Sequence, residues 1–190
     1  MKYKITLLLA LLLAGVMLFA ACGKQAEDPA DQLHFADLTD STVLVEGQKY
    51  QGEVLEIPMV TKDGKMVAQI GAFAFFQLEN LKTVTIPSSI SSIQASAFEG
   101  CTGITELEIP SGVERIFPEA FQNCTGLSAL ILPSSLCNIS DEAFAGCSAL
   151  TEITFRGTTE QWSEISISPR WIEQGKQMTI HCTDGDIVTE

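Results

Sequence analysis

Apolar positions recur along this chain at a fixed interval of 23 residues. One set of columns runs Leu81, Ile104, Leu127, Leu150; a second Val84, Leu107, Leu130, Ile153; a third Ile86, Ile109, Leu132, Phe155. Ile93, Ile116 and Ile139 keep the same spacing, as do Pro87, Pro110 and Pro133, and Cys101, Cys124 and Cys147. So do Ala97, Ala120 and Ala143, each followed by Phe98, Phe121 or Phe144. A repeat of this period is one structural unit that cannot bury its apolar side alone, so neighbouring units must stack into a solenoid.

The unit reads L-x-x-L-x-I-P-x-x-I-x-x-I-x-x-x-A-F-x-x-C. Its L-x-I part has the period of two of a strand. Proline then ends the pairing, because it has no amide donor. The Ile-x-x-Ile stretch returns across the other side, and Ala-Phe-x-x-Cys makes a corner. Stacking such coils lays parallel strands about 4.8 Å apart. Leu55-Glu56-Ile57-Pro58 repeats the strand half earlier in the chain, and Met178-Thr179-Ile180 repeats it later. The pattern therefore predicts a mainly β leucine-rich-repeat solenoid with about six short parallel strands, near 54–57, 83–86, 106–109, 129–132, 152–155 and 178–181. The coil after Pro58 carries about six extra residues around Thr61-Lys62-Asp63-Gly64-Lys65, a protruding turn, and regains phase at Ile70 and Ala74-Phe75.

A solenoid needs ends that hide its core. Thr42-Val43-Leu44-Val45, a turn at Glu46-Gly47 and residues 48–52 are expected to form an amino-terminal capping hairpin within a solenoid spanning 42–156. Residues 157–190 read as the other cap: Trp162 stands in the column of Ile139, and Ile165, Ile167 and Trp171 follow. A short helix over 159–165 is predicted there, with Thr158 or Thr159 as its N-cap.

Before the repeat, Lys2 and Lys4 precede an apolar run from Ile5 to Phe19, and Ala20-Ala21 close it. That order is a secretory signal peptide, residues 1–21. Leu18-Phe19-Ala20-Ala21-Cys22 resembles the lipobox of bacterial lipoproteins, with Phe19 where leucine is usual. The resemblance implies cleavage before Cys22, a lipid on its sulfur, and membrane attachment outside the cytoplasm. Residues 22–41 are acidic and without period, which predicts a flexible tether. Loss of residues 1–21 removes Lys2 and Lys4 but no acid, so 11 basic residues fall to 9 against 24 acidic ones, a formal charge of −15. Such a surface repels phosphate backbones, and nucleic acid is excluded as an expected partner.

The units from Ile109-Pro110-Ser111-Gly112 to Phe121-Gln122-Asn123-Cys124, and the tail from Gly157 through Trp162 to Thr179-Ile180-His181-Cys182, resemble the BspA-like leucine-rich repeats of bacterial surface proteins. The resemblance spans roughly residues 46–187. It implies a non-catalytic module for protein binding or adhesion, with the ligand undefined. A structural envelope component, or a solenoid that associates through its ends, is the alternative.

Candidate chemistry is sparse. The stacked column Cys101, Cys124, Cys147 suits small buried thiols better than disulfides, because in-register side chains have parallel Cα–Cβ vectors. Cys137 and Cys182 bring the non-lipidated cysteines to five, an odd count. His34 and His181 are the two histidines. His181-Cys182-Thr183-Asp184 lacks the second ligand cluster of a zinc site, and Asp184-Gly185-Asp186 lacks the spacing of a calcium loop, so no metal is expected. No nucleophile elbow, phosphate loop or dinucleotide fingerprint is present, so neither an enzyme nor a cofactor is expected. What remains is the outward side of the strands: Thr83, Glu106, Ala129, Glu152 in one column and Thr85, Glu108, Ile131, Thr154 in the next. These eight, and the 61–65 turn, are the candidate binding surfaces.

Overall fold

The computed structural model describes residues 32–47 and 50–189. The segment expected to be a signal peptide, Cys22 and the expected tether up to residue 31 lie outside the described residues. The chain opens with β1 (His34–Asp37) and β2 (Thr42–Glu46). It then alternates between two sides: β3 (Val54–Glu56) and β4 (Met66–Ile70), β5 (Thr83–Thr85) and β6 (Ser92–Ile93), β7 (Glu106–Glu108) and β8 (Arg115–Ile116), β9 (Ala129–Leu132) and β10 (Asn138–Ile139). β11 (Glu152–Phe155), α1 (Thr159–Glu164), β12 (Ser166–Ile167), β13 (Thr179–Cys182) and β14 (Gly185–Val188) complete it.

All six expected parallel strands are present, within a residue or so at their ends. They form the front of the solenoid in two ladders, β3-β5 and β7-β9-β11-β13, the second closed by antiparallel β14. The rest of the fold is a back sheet in the order β1-β2-β4-β6-β8-β10-β12. Its strands β6, β8, β10 and β12 are two residues long, with Ile93↔Ile116↔Ile139↔Ile167 in register. One isoleucine per coil is too short a run to show period two, so the sequence announces a buried column there but not a sheet.

Between the sheets the aliphatic, alanine, phenylalanine and cysteine columns are buried. Phe75, Phe98, Phe121 and Phe144 stack along the axis with centroids 5.1, 5.3 and 5.3 Å apart and planes within 18° of parallel. That offset-stacked geometry avoids face-to-face repulsion of the ring quadrupoles. The stack is closed by edges: Tyr50 meets Phe75 at 88° and Trp171 meets Phe144 at 83°. Beside it the thiols of Cys101, Cys124 and Cys147 donate to the carbonyls of Phe75, Phe98 and Phe121 at 3.0, 3.1 and 3.2 Å. Each thiol thus ties its coil to the one before. All three are free and buried. Burial pushes the Cys101 thiol up to about 12, and its neighbours in the column and burial drive Cys124 upward too.

The corners repeat a backbone conformation that the residue types do not announce. Phe73, Ser96, Glu119 and Glu142 stand in one column, all with φ between 52 and 61°. Gln77, Gly100, Asn123 and Gly146 form a second left-handed column. Glycine and asparagine suit that region; phenylalanine does not. What holds it is a further line of bonds between coils: the amides of Phe75, Phe98 and Phe121 reach Ala97, Ala120 and Ala143 carbonyls at 2.7–2.8 Å.

The amino-terminal hairpin differs from expectation. β2 pairs antiparallel with β1 upstream, Phe35↔Val45 and Asp37↔Val43, and parallel with β4 downstream. Residues 34–37, expected within the tether, are therefore a strand, and residues 50–52 are not paired with β2. The tight turn explains the choice: the Leu38 amide reaches the Thr42 carbonyl at 3.0 Å, and Thr39 Oγ1 accepts from the amides of Ser41 and Thr42. Downstream the chain bends away instead, because the Gly47 amide bonds to the Ala74 carbonyl and Tyr50 is buried against the phenylalanine stack. At the other end α1 begins at Thr158 with a capping box, Gln161 N to Thr158 Oγ1 at 3.2 Å and Thr158 N to Gln161 Oε1 at 2.9 Å. It delivers Trp162 onto Phe155 and Trp171.

Candidate functional site

The outward columns fall on the front sheet as strand alternation requires. Register links Glu106↔Ala129, Glu108↔Ile131 and Ile131↔Thr154, with Glu152 one row over beside Thr179. These residues form one surface. Thr83 and Thr85 belong to the separate β3-β5 ladder, paired with Val54 and Glu56. Seven of the eight are exposed; Ile131 is half-buried. Its partners are visible in the ion pair that spans it: Arg156 Nη2 lies 2.8 Å from Glu108 Oε1, two strands away. The pair joins the strands on either side of β9, which carries Ile131.

Three contributors were not foreseen. Val54 is an exposed valine in the Thr83 column, and Glu56 extends the Thr85 column. His181 extends the other end: its Nδ1 is 3.0 Å from Asp186 Oδ1 and its Nε2 3.5 Å from Glu152 Oε2. The hydrogen bond to Asp186, then that to Glu152, hold the imidazole above its ordinary pKa. The signal for Val54 and Glu56 was present, since Leu55 had been placed in the core column and its neighbours must face out. The signal for His181 was not, because Asp186 reaches it only through the β13–β14 hairpin. The resulting front is acidic and polar, with Arg156 and His181 each paired to carboxylates. Among the described residues no group of three or more His, Cys, Asp or Glu is placed to hold a metal ion.

The 61–65 turn protrudes from the first coil. Val60 and Met66 bridge antiparallel at its base. Thr61 closes it: its amide reaches the Lys65 carbonyl at 2.8 Å, and its hydroxyl accepts from the Lys65 amide at 3.0 Å. Gly64 supplies the left-handed φ of 86° with open space around it. Lys65 is paired with Asp37 of β1.

A solenoid of parallel coils around stacked aliphatic and phenylalanine columns, with a strand sheet as its broadest exposed face, defines a leucine-rich-repeat protein. The chain belongs to the BspA type leucine rich repeat region family, which matches residues 59–168 in six copies. Among solved structures it is similar to a leucine rich cell surface protein from Faecalibacterium prausnitzii A2-165 (24% identity, TM-score 0.57), covering 72% of this chain and 41% of that one. It is similar also to a leucine rich repeat protein of T. pallidum (18% identity, TM-score 0.56, 74% and 80% covered). The pneumococcal vaccine antigen PcpA gives 16% identity and a TM-score of 0.57, with 79% and 42% covered. The chain spans about two fifths of the Faecalibacterium protein's length. These likenesses establish the fold. No curated protein matches the chain.

Proposed function

We propose that this chain is a cell-surface lipoprotein, held to the membrane by a lipid on Cys22, whose repeat domain is a non-catalytic module for protein binding or adhesion. The observation that carries the reading is the division of labour on the front sheet. Inward residues such as Leu107, Leu130 and Ile153 make the core, while Glu106, Glu108, Ala129, Glu152 and Thr154 lie exposed on the opposite side of the same strands. Thr83, Thr85 and half-buried Ile131 complete the face. Its carboxylates suit a partner with a basic or amide-rich surface.

Cys22→Ser followed by cell fractionation tests the anchor. The variant is expected to leave the membrane fraction; a fully processed variant that stayed there would sink it. For the face, Glu108→Lys and Ile131→Asp are expected to abolish adhesion of cells displaying the chain. Unchanged adhesion with both would remove the face from consideration.

A second reading has its own support. Val54 on the outer strand β3 and Val188 on the outer strand β14 are exposed at opposite ends of the front. Unpaired edges of this kind allow head-to-tail association of copies. Glu53 and Glu56 beside one edge, and Asp184 and Asp186 beside the other, oppose it. Sedimentation of the purified chain separates the readings: a monomer at all concentrations leaves the binding module standing.

A further inference from the structure

Exposed apolar side chains are unevenly placed. Among the described residues eight large ones are exposed, and seven lie between positions 38 and 76. Four of these flank the protruding turn: Leu38 39% exposed, Met59 50%, Val60 49% and Met66 44%. They are organised by the back sheet. Thr42 pairs with Met66, Met66 bridges to Val60, and Leu38 follows β1 with its amide on the Thr42 carbonyl. Val43 and Val45 point inward, so the row Leu38, Thr42, Met66, Val60 points out. Further along, the row is polar: Gln69 on β4 itself, then buried Ser92, Arg115, Asn138 and Ser166 in register on the later strands. The apolar row is therefore a property of the first coil and not of the repeat.

We infer that this row and the 61–65 turn dock on a lipid surface, inserting at the boundary between headgroups and acyl chains. The inference rests on the lipid anchor at Cys22 proposed above. Cys22 and Gln32 are ten positions apart, a chain that reaches at most about 35 Å. β1 is the first strand after it, and Leu38 directly follows β1. The anchor therefore keeps the end of the solenoid bearing the apolar row close to the bilayer. The side chains of the turn fit as well. Lys62 and Lys65 lie within the five-residue turn with Asp63, and Lys65 is paired with Asp37 of β1. Long cationic side chains beside exposed methionine and valine let a surface segment bury its apolar part while the ammonium groups stay at phosphate level. Docked this way, the first coil faces the membrane and the solenoid stands away from it.

The test uses the full-length lipoprotein reconstituted in phosphatidylcholine vesicles with brominated acyl chains. A Val60→Trp variant reports on the turn, and a Thr154→Trp variant on the front sheet. The wild type, with Trp162 and Trp171 both buried, supplies the background. Flotation reads the anchor and quenching reads the docking. The Val60→Trp variant is expected to shift to the blue and lose emission to the bromines, and the Thr154→Trp variant to do neither. Adding Leu38→Asp and Met66→Asp to the Val60→Trp chain is expected to restore its emission while flotation is unchanged. A Val60→Trp chain that floats but keeps its emission overturns the docking and leaves the anchor intact. Equal quenching at both positions overturns it too, since the domain would then lie without preference. A chain that fails to float removes the anchor and the docking with it.

Discussion

The first coil and the regular coils share a core and differ in their surface. Phe75 continues the stack of Phe98, Phe121 and Phe144, and Leu55 lies in the Leu107 column. At the left-handed corner the regular coils place buried Ser96 and half-buried Glu119 and Glu142, where the first coil places Phe73, 51% exposed. Where they turn back directly, it inserts the 61–65 loop and exposes Val60 and Met66. The inward columns are constrained by stacking on both neighbours, so they stay uniform. Outward positions carry no such constraint, and a departure there is where a binding property can be written without cost to the fold.

The sharpest way to break this comparison is to truncate one phenylalanine of each kind. Phe121→Ala opens a cavity between two stacked rings and should cost about 3–5 kcal/mol in a denaturant titration. Phe73→Asn should cost nothing and gain up to about 1 kcal/mol, because asparagine tolerates a φ of 55° better than a bulky aromatic. A large loss from Phe73→Asn would mean that the first-coil corner is part of the core after all.

Next in size is the cysteine column. Cys124→Ala removes a buried sulfur and its bond to the Phe98 carbonyl, and should cost about 1–3 kcal/mol. In the native protein a thiol reagent at mildly alkaline pH should modify exposed Cys137 first and half-buried Cys182 more slowly. Cys101, Cys124 and Cys147 should react only on unfolding, since burial suppresses their access and Cys101 is pushed up to about 12. Rapid labelling of any of the three would contradict the packing.

How much of this could be read from the chain follows the same division. The columns, the six front strands, the protruding turn and the capping helix at Trp162 are all written in inward side chains at fixed spacing. The regular part of the back sheet was hidden because β6, β8, β10 and β12 each show one apolar residue. β1 was hidden because Phe35 is its sole large apolar residue and Asp37 and Asp40 gave the segment the composition of a tether. Ile131 lies on the front as its alternation required, but the ion pair of Arg156 with Glu108, two strands over, is one that no local pattern encodes. The exposed row of the first coil required knowing that Leu38, Thr42, Met66 and Val60, spread over 29 positions from 38 to 66, become neighbours in one sheet.

The front sheet offers an intermediate test. Arg156→Ala breaks the exposed pair with Glu108 beside Ile131. Both partners are more than half exposed, so the loss in stability should stay below about 1 kcal/mol. The informative readout is binding of an apolar dye, which should rise if the bridge covers Ile131. No change would show that the isoleucine is shielded by its strand neighbours alone.

The smallest effect belongs to the far end of that sheet, where His181 lies between Asp186 of β14 and Glu152 of β11. Both carboxylates favour the imidazolium, so its folded pKa lies above the ordinary 6.5. A raised folded value means that the protonated ring stabilises the fold fully below its unfolded pKa, and that this contribution fades as pH rises through the folded value. Wild type and His181→Gln should therefore differ in denaturation midpoint near pH 5.5 and converge near about pH 8.5. Salt should shrink the difference at low pH, because all three groups are exposed. The first coil, with no histidine in its turn, should show no such pH-dependent difference when Lys65→Gln breaks the pair with Asp37 over the same range. A His181→Gln difference that was constant with pH would assign the histidine to packing instead of charge.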